Sequence, residues 1–149
     1  MSALMISTKK GLFWVEGKGK DARITRSAFL GDNVVLTMKD RRDGASYAVL
    51  DHGHFGVKLH RSEDDGVSWK EIAIPAYPEK PKDFVDKDMW GKEREWATKN
   101  IWALVPALDA KGALWCGRGF RSFWIIRCSG SLSSGAGSRS RTSPDRRTY

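Results

Sequence analysis

Cysteine is scarce in this chain: two in 149 residues, Cys116 and Cys128. A disulfide framework is not expected, and the reading is a reduced, cytoplasmic protein. Long apolar runs are also missing. No stretch approaches the ~20 residues of a membrane-spanning helix, so no membrane association is expected. Residues 1–8 lack the charged start and apolar core of a secretory leader. The formal charge is +8, yet no nucleic-acid-binding motif accompanies it.

That charge is unevenly spread. Residues 118–149 carry seven Arg, no Lys and one acid, Asp145, a net +6. The preceding 117 residues carry 19 Lys and Arg against 17 Asp and Glu, a net +2, with Lys outnumbering Arg 13 to 6. Eight Ser crowd the tail, and hydrophobic periodicity stops after Ile126. Residues 1–117 therefore read as a nearly neutral folded body with interspersed charges. Residues 118–149 read as a basic Ser/Arg/Gly-rich tail, either disordered or produced by a change of reading frame near Gly117. Such a tail binds polyanions without specificity, so no specific nucleic-acid partner is expected.

The body alternates short β-forming segments with turn residues, which predicts an all-β fold. Strands are expected at 3–8, 11–16 and 22–29, separated by Lys9-Lys10-Gly11 and Gly17-Lys18-Gly19-Lys20. Four more are expected at 33–39, 46–50, 56–61 and 69–74, with Asp40–Gly44 as a polar turn. Residues 75–97 are rich in charge and contain Pro75, Pro78 and Pro81. They read as a long connection with a short helix near Lys87–Trp96. Strands resume at 101–105 and 113–116.

The most specific pattern is Ser62-x-Asp64-x-Gly66-x-x-Trp69. Val57, Leu59 and Arg61 alternate into it as in a half-buried strand. A short carboxylate at 64 accepts hydrogen bonds from nearby backbone N–H groups, and Gly66 admits positive φ. Trp69 opens the returning strand, where its ring caps the hairpin. The pattern resembles the Asp-box, or BNR repeat, of the sialidase-like β-propellers. Residues 4–15, LMISTKKGLFWV, look like the opening segment of bacterial members, and 99–117 look like the start of a later blade. The resemblance implies a partial β-propeller. Residues 3–29 would be outer strands of one blade, 33–74 one complete four-stranded blade, and 101–117 the first half of another. A blade takes about 40–45 residues and closed propellers need several, so an N-terminal fragment is expected.

The resemblance further implies a glycosidase-like or sugar-binding parent with a carbohydrate ligand, this chain itself being inactive. The alternative is a non-catalytic propeller scaffold that binds a protein partner. Ser62, Asp64, Gly66 and Trp69 are assigned to structure. Sialidases grip substrate with clustered arginines and use a Tyr nucleophile with a carboxylate partner. Arg23, Arg26, Arg41, Arg42, Arg61 and Arg94 match no such motif, nor do Tyr47 and Tyr77, so no catalytic residue is assigned. Asp51-His52-Gly53-His54 is the most reactive-looking cluster, in residue types suited to acid–base or metal chemistry. Its plainer reading is a polar turn with exposed imidazoles, and neither metal nor cofactor is expected. The resemblance places loop 51–55 and connection 75–97 on the pocket face, so Asp51, His52, His54, Trp90 and Trp96 are the pocket-face candidates. The tryptophans suit either sugar stacking or packing of the long loop.

Overall fold

A computed structural model describes residues 3–74, 79–80, 82–85, 87–93, 95–108, 113–118 and 122–127. The all-β class holds: no α-helix occurs among the described residues, which carry ten strands and two single 3-10 turns. Strands β1 (Leu4–Thr8), β2 (Gly11–Glu16) and β3 (Arg23–Ala28) form the first sheet. Strands β4 (Asn33–Lys39), β5 (Ser46–Asp51), β6 (Val57–Ser62) and β7 (Lys70–Ile72) form the second. Strands β8 (Ala103–Pro106), β9 (Ala113–Arg118) and β10 (Ser122–Arg127) form the third. Each sheet is an antiparallel meander in chain order.

The meanders follow from short strands joined by tight turns. Thr8 illustrates one: its hydroxyl accepts from Lys10 N at 3.0 Å and donates to the Gly11 carbonyl at 2.8 Å, turning β1 into β2 within two residues.

The core lies between the sheets. Strand β5 is buried along Ser46–Leu50, as expected of a strand covered on both faces. Its residues alternate between two clusters. Tyr47 and Val49 join Val57, Leu59, Leu104, Leu114 and Cys116, between the second and third sheets. Ala48 and Leu50 join Leu12, Trp14 and Val34, between the first and second. The second sheet is thus the middle layer of a stack. Along one edge the first strands come together. The Ser7 hydroxyl of β1 donates to Thr37 Oγ1 of β4 at 3.1 Å, and β4 also approaches β8. So β1 is the strand of its sheet that lies closest to the second sheet's first strand.

Residues 3–29 are expected as outer strands, yet β1 lies beside β4, the strand expected to be innermost, because its Ser7 bonds Thr37 there while Leu12 and Trp14 of β2 pack on Ala48 and Leu50 of β5. Two further features differ from the expected layout. No helix forms among residues 87–93; Lys87 bridges to Glu93 around a turn. The Asp88 carboxylate accepts from Trp90 N and Lys92 N, both at 2.9 Å, and Gly91 has φ 81°. A side chain that captures nearby N–H groups competes directly with helical bonding. The second feature is β10, which falls within the segment read as tail and extends the third sheet along β9. Pro75, Tyr77, Pro78, Pro81, Arg94, Cys128 and residues 129–149 lie outside the described residues.

Candidate functional site

The Ser62–Trp69 turn closes a dense set of hydrogen bonds. The Ser62 hydroxyl, buried, donates to Asp64 Oδ1 at 2.7 Å and accepts from Gly66 N at 2.7 Å. Asp64 Oδ1 also accepts from Val67 N at 3.1 Å and Ser68 N at 2.9 Å. The Ser68 hydroxyl donates to Asp64 Oδ2. Trp69 Nε1 donates back to the Gly66 carbonyl at 3.2 Å. The Ser68 hydroxyl, the Ser68 N–H and the Ser62 hydroxyl together hold the Asp64 carboxyl well below the usual carboxylate range. Asp65 and Gly66 take φ 59° and 82°, the left-handed region that glycine occupies at little steric cost. The four motif residues thus meet in one turn, with Ser68 as a fifth member.

This turn is docked on the first sheet. Trp14, buried in β2, lies 6.5 Å from the Trp69 ring, and Phe29 lies 5.1 Å from it. The Arg26 guanidinium stacks 4.1 Å from the Trp14 centroid and donates to the Asp65 carbonyl at 2.5 Å. Lys39 reaches Asp65 Oδ1 at 2.7 Å. Large aromatic area, an Arg–ring contact and charge-assisted bonds converge there.

A second clamp joins the second sheet to the third. Asp40 is fully buried. Its carboxylate accepts from Arg42 N at 2.9 Å, Arg42 Nε at 3.0 Å and Arg42 Nη2 at 2.6 Å. The same guanidinium donates to the carbonyls of Ala107 and, at 2.9 Å, Ala113. Those carbonyls flank the β8–β9 connection. The Arg42 hydrogen bond holds Asp40 below its ordinary value. Arg61 completes this end of the sheet, donating to Tyr47 Oη at 3.1 Å and pairing with Glu63 and with Asp43 at 3.4 Å. Arg26, Arg42 and Arg61 therefore serve the architecture. Tyr47 is fully buried in the core.

The strand register separates these clamps from the candidate loops. Lys39, Ser46 and Ser62 align at the clamp end, while Asn33, Asp51 and Val57 align at the other. At that second end the Asp51 carboxylate accepts from Gly53 N at 2.8 Å, fixing the single 3-10 turn Gly53–Phe55. His52 is half-buried and His54 exposed. Phe55 is 83% exposed. In the 79–99 connection Trp90 is 84% exposed at the tip of the Asp88 turn, with Met89 beside it at 83%. Trp96 instead packs on Phe84, ring centroids 5.3 Å apart. Lys99 holds the Glu95 carboxyl below its ordinary value, with a smaller contribution from His54. An open groove of about 470 Å³ runs beside this end along β6 and β7, lined by Val57, Lys58, Glu71, Ile72, Ala73 and Ile74. Lys58 and Glu71 pair across it at 2.7 Å.

No group of three or more metal-ligating side chains occurs among the described residues, and no described helix is long and apolar enough to cross a membrane. No protein-family model and no curated protein matches the chain. The functional assignment therefore rests on the geometry of the turn, the sheets and the loops.

His60, in β6, faces the first sheet's side of the turn. Its ring meets Phe29 edge-on at 5.0 Å, and its Nδ1 is buried with no hydrogen-bond partner in the protein. Burial pushes its pKa below the ordinary imidazole value. Ser68 and Arg42 also carry roles that the motif pattern does not contain. A Ser two residues before the returning strand is a local signal, whereas the partners of Arg42 lie 65 and 71 residues away.

Proposed function

We propose that the chain is an Asp-box protein of the sialidase-like β-propeller kind, in which the three stacked meanders are neighbouring blades. The observation that carries this reading is the closed Ser62–Asp64–Gly66–Ser68–Trp69 turn, set between the third and fourth strands of a four-stranded meander. The stacking of the sheets through their faces, with first strands together, supports it.

On this reading the protein binds carbohydrate through the loop end and does not hydrolyse it. Rigid scaffolds with variable loops are where binding residues concentrate, and Trp90 offers a solvent-facing ring suited to the C–H face of a sugar. Arg26, Arg42 and Arg61 are committed to the sheet junctions, which leaves no cluster of them to grip a substrate carboxylate. The test is a glycan array followed by titration calorimetry with the full chain. Trp90→Ala should weaken glycan binding at least tenfold with an unchanged melting temperature, and a fluorogenic sialoside should stay uncleaved. Absence of binding to every neutral and acidic glycan would overturn the carbohydrate reading. A second reading, a scaffold for a protein partner, is favoured by the apolar loop tips Phe55 and Met89 beside Trp90. It predicts that a Phe55→Ser/Met89→Ser variant loses a protein partner while keeping its melt.

A further inference from the structure

Among the described side chains, apolar ones point from both end layers away from the second sheet. In the first sheet, Met5, Leu12 and Trp14 pack inward. Alternation along each strand then turns Leu4 and Ile6 outward, and they are 64% and 37% exposed. Ile24, the register partner of Val15, joins them at 62%. In the third sheet, Leu104, Leu114 and Cys116 pack inward. Their neighbours Val105 and Trp115, themselves register partners, are 51% and 39% exposed. Both internal junctions are made the same way, apolar sheet face on apolar sheet face with β1, β4 and β8 side by side. The chain thus presents the two halves of a further junction of the same kind, one at each end. Contiguous exposed apolar faces of this sort mark association sites.

We propose that the outer face of the first sheet docks on the outer face of the third sheet of a second copy. The contact joins two different surfaces, so it is heterologous and must either close or grow. Two copies of the three-sheet stack close it as a ring of six sheets, within the range of about four to eight blades that closed propellers use. The inference rests on the propeller reading of the stacked sheets and goes beyond the carbohydrate reading. Failure of either leaves the other standing.

The test is sedimentation of the full chain at micromolar concentration, with two charge-bearing variants. Wild type should sediment at twice the 16.7 kDa of the chain. Leu4→Glu on β1 and Val105→Lys on β8, the strands that the junction brings side by side, should each sediment as single chains. An equimolar mixture should regain the double mass, because one junction then pairs Glu with Lys and the other is wild type. Both sites are exposed, and unchanged far-ultraviolet circular dichroism should show that the variants fold. If either does not, Ile6→Glu and Ala103→Lys repeat the design on the same two strands. A wild-type single chain, a double mass that neither variant disturbs, a mixture that stays at single mass, or species larger than two copies would each overturn the proposal.

Discussion

Replacing Gly66 by alanine strikes the turn and its packing together. At φ 82° an L-residue costs about 1–2 kcal/mol relative to glycine. The new methyl would also overlap Trp14 Cζ2, and it would lie 2.9 Å from Cη2 and 3.3 Å from Trp69 Cζ2. Trp14 is 3% exposed, so its ring has little room to withdraw. Overpacking of this kind costs about 1–3 kcal/mol. The sum is roughly 2–5 kcal/mol, a large share of the 5–15 kcal/mol by which domains are ordinarily stable. Gly44 supplies the control. Its φ is 78°, and an added Cβ meets nothing within 4 Å, so Gly44→Ala should lose only the backbone component of about 1–2 kcal/mol. Urea unfolding followed by tryptophan fluorescence measures both, with the m-value checking that the unfolding reaction is unchanged. Equal losses for the two variants would refute the argument, because the ring contact would then contribute nothing.

Three further outcomes are expected. Arg42→Ala should lower the melting temperature more than the double variant Asp40→Asn/Arg42→Ala does, since the single change strands a buried carboxylate; calorimetry giving the reverse order would dismiss the clamp. Asp64 has a depressed folded pKa, so its contribution is complete above the unfolded value of about 3.9 and is lost as pH falls through the folded value. Asp64→Asn should therefore be less stable at pH 7 and lose stability less steeply in an acid titration followed by circular dichroism. His60 is also depressed, which for a base makes the folded state prefer the neutral form. Stability should be complete above the unfolded value of about 6.5 and fall as pH drops below it. Urea midpoints of His60→Gln should fall less between pH 7 and pH 5 than those of wild type.

Much of the strand layout was legible in the residues. The expected strand at 33–39 coincides with β4, and those at 46–50 and 56–61 fall within one residue of β5 and β6 at each end. Alternation and turn residues are local signals, and here nothing overrides them. The turn chemistry of Ser62, Asp64 and Gly66 was legible for the same reason: its bonds span two to four residues. The helix expected near 87–96 does not form among the described residues, because the Asp88 side chain captures two N–H groups and Gly91 takes the left-handed region. The sheet junctions were not legible. Arg26 with Asp65, Arg42 with Ala113, and Phe29 with Trp69 are separated by tens of residues. Nothing local distinguishes those arginines from solvated ones. At the loop end, composition could nominate Trp90 and Trp96 together, but only the fold separates the exposed ring from the packed one.

The register of the second sheet has a consequence for how this protein can be re-engineered. The connections at its clamp end, residues 40–44 and 63–68, are fastened to both neighbouring layers, so lengthening either one would pull a guanidinium or an indole out of its seat. At the opposite end, the described bonds of 52–56 and 88–92 close within their own turns. Foreign segments should be admitted there and refused at the other end, which gives the sheet one polarity for holding together and another for acquiring new ligands.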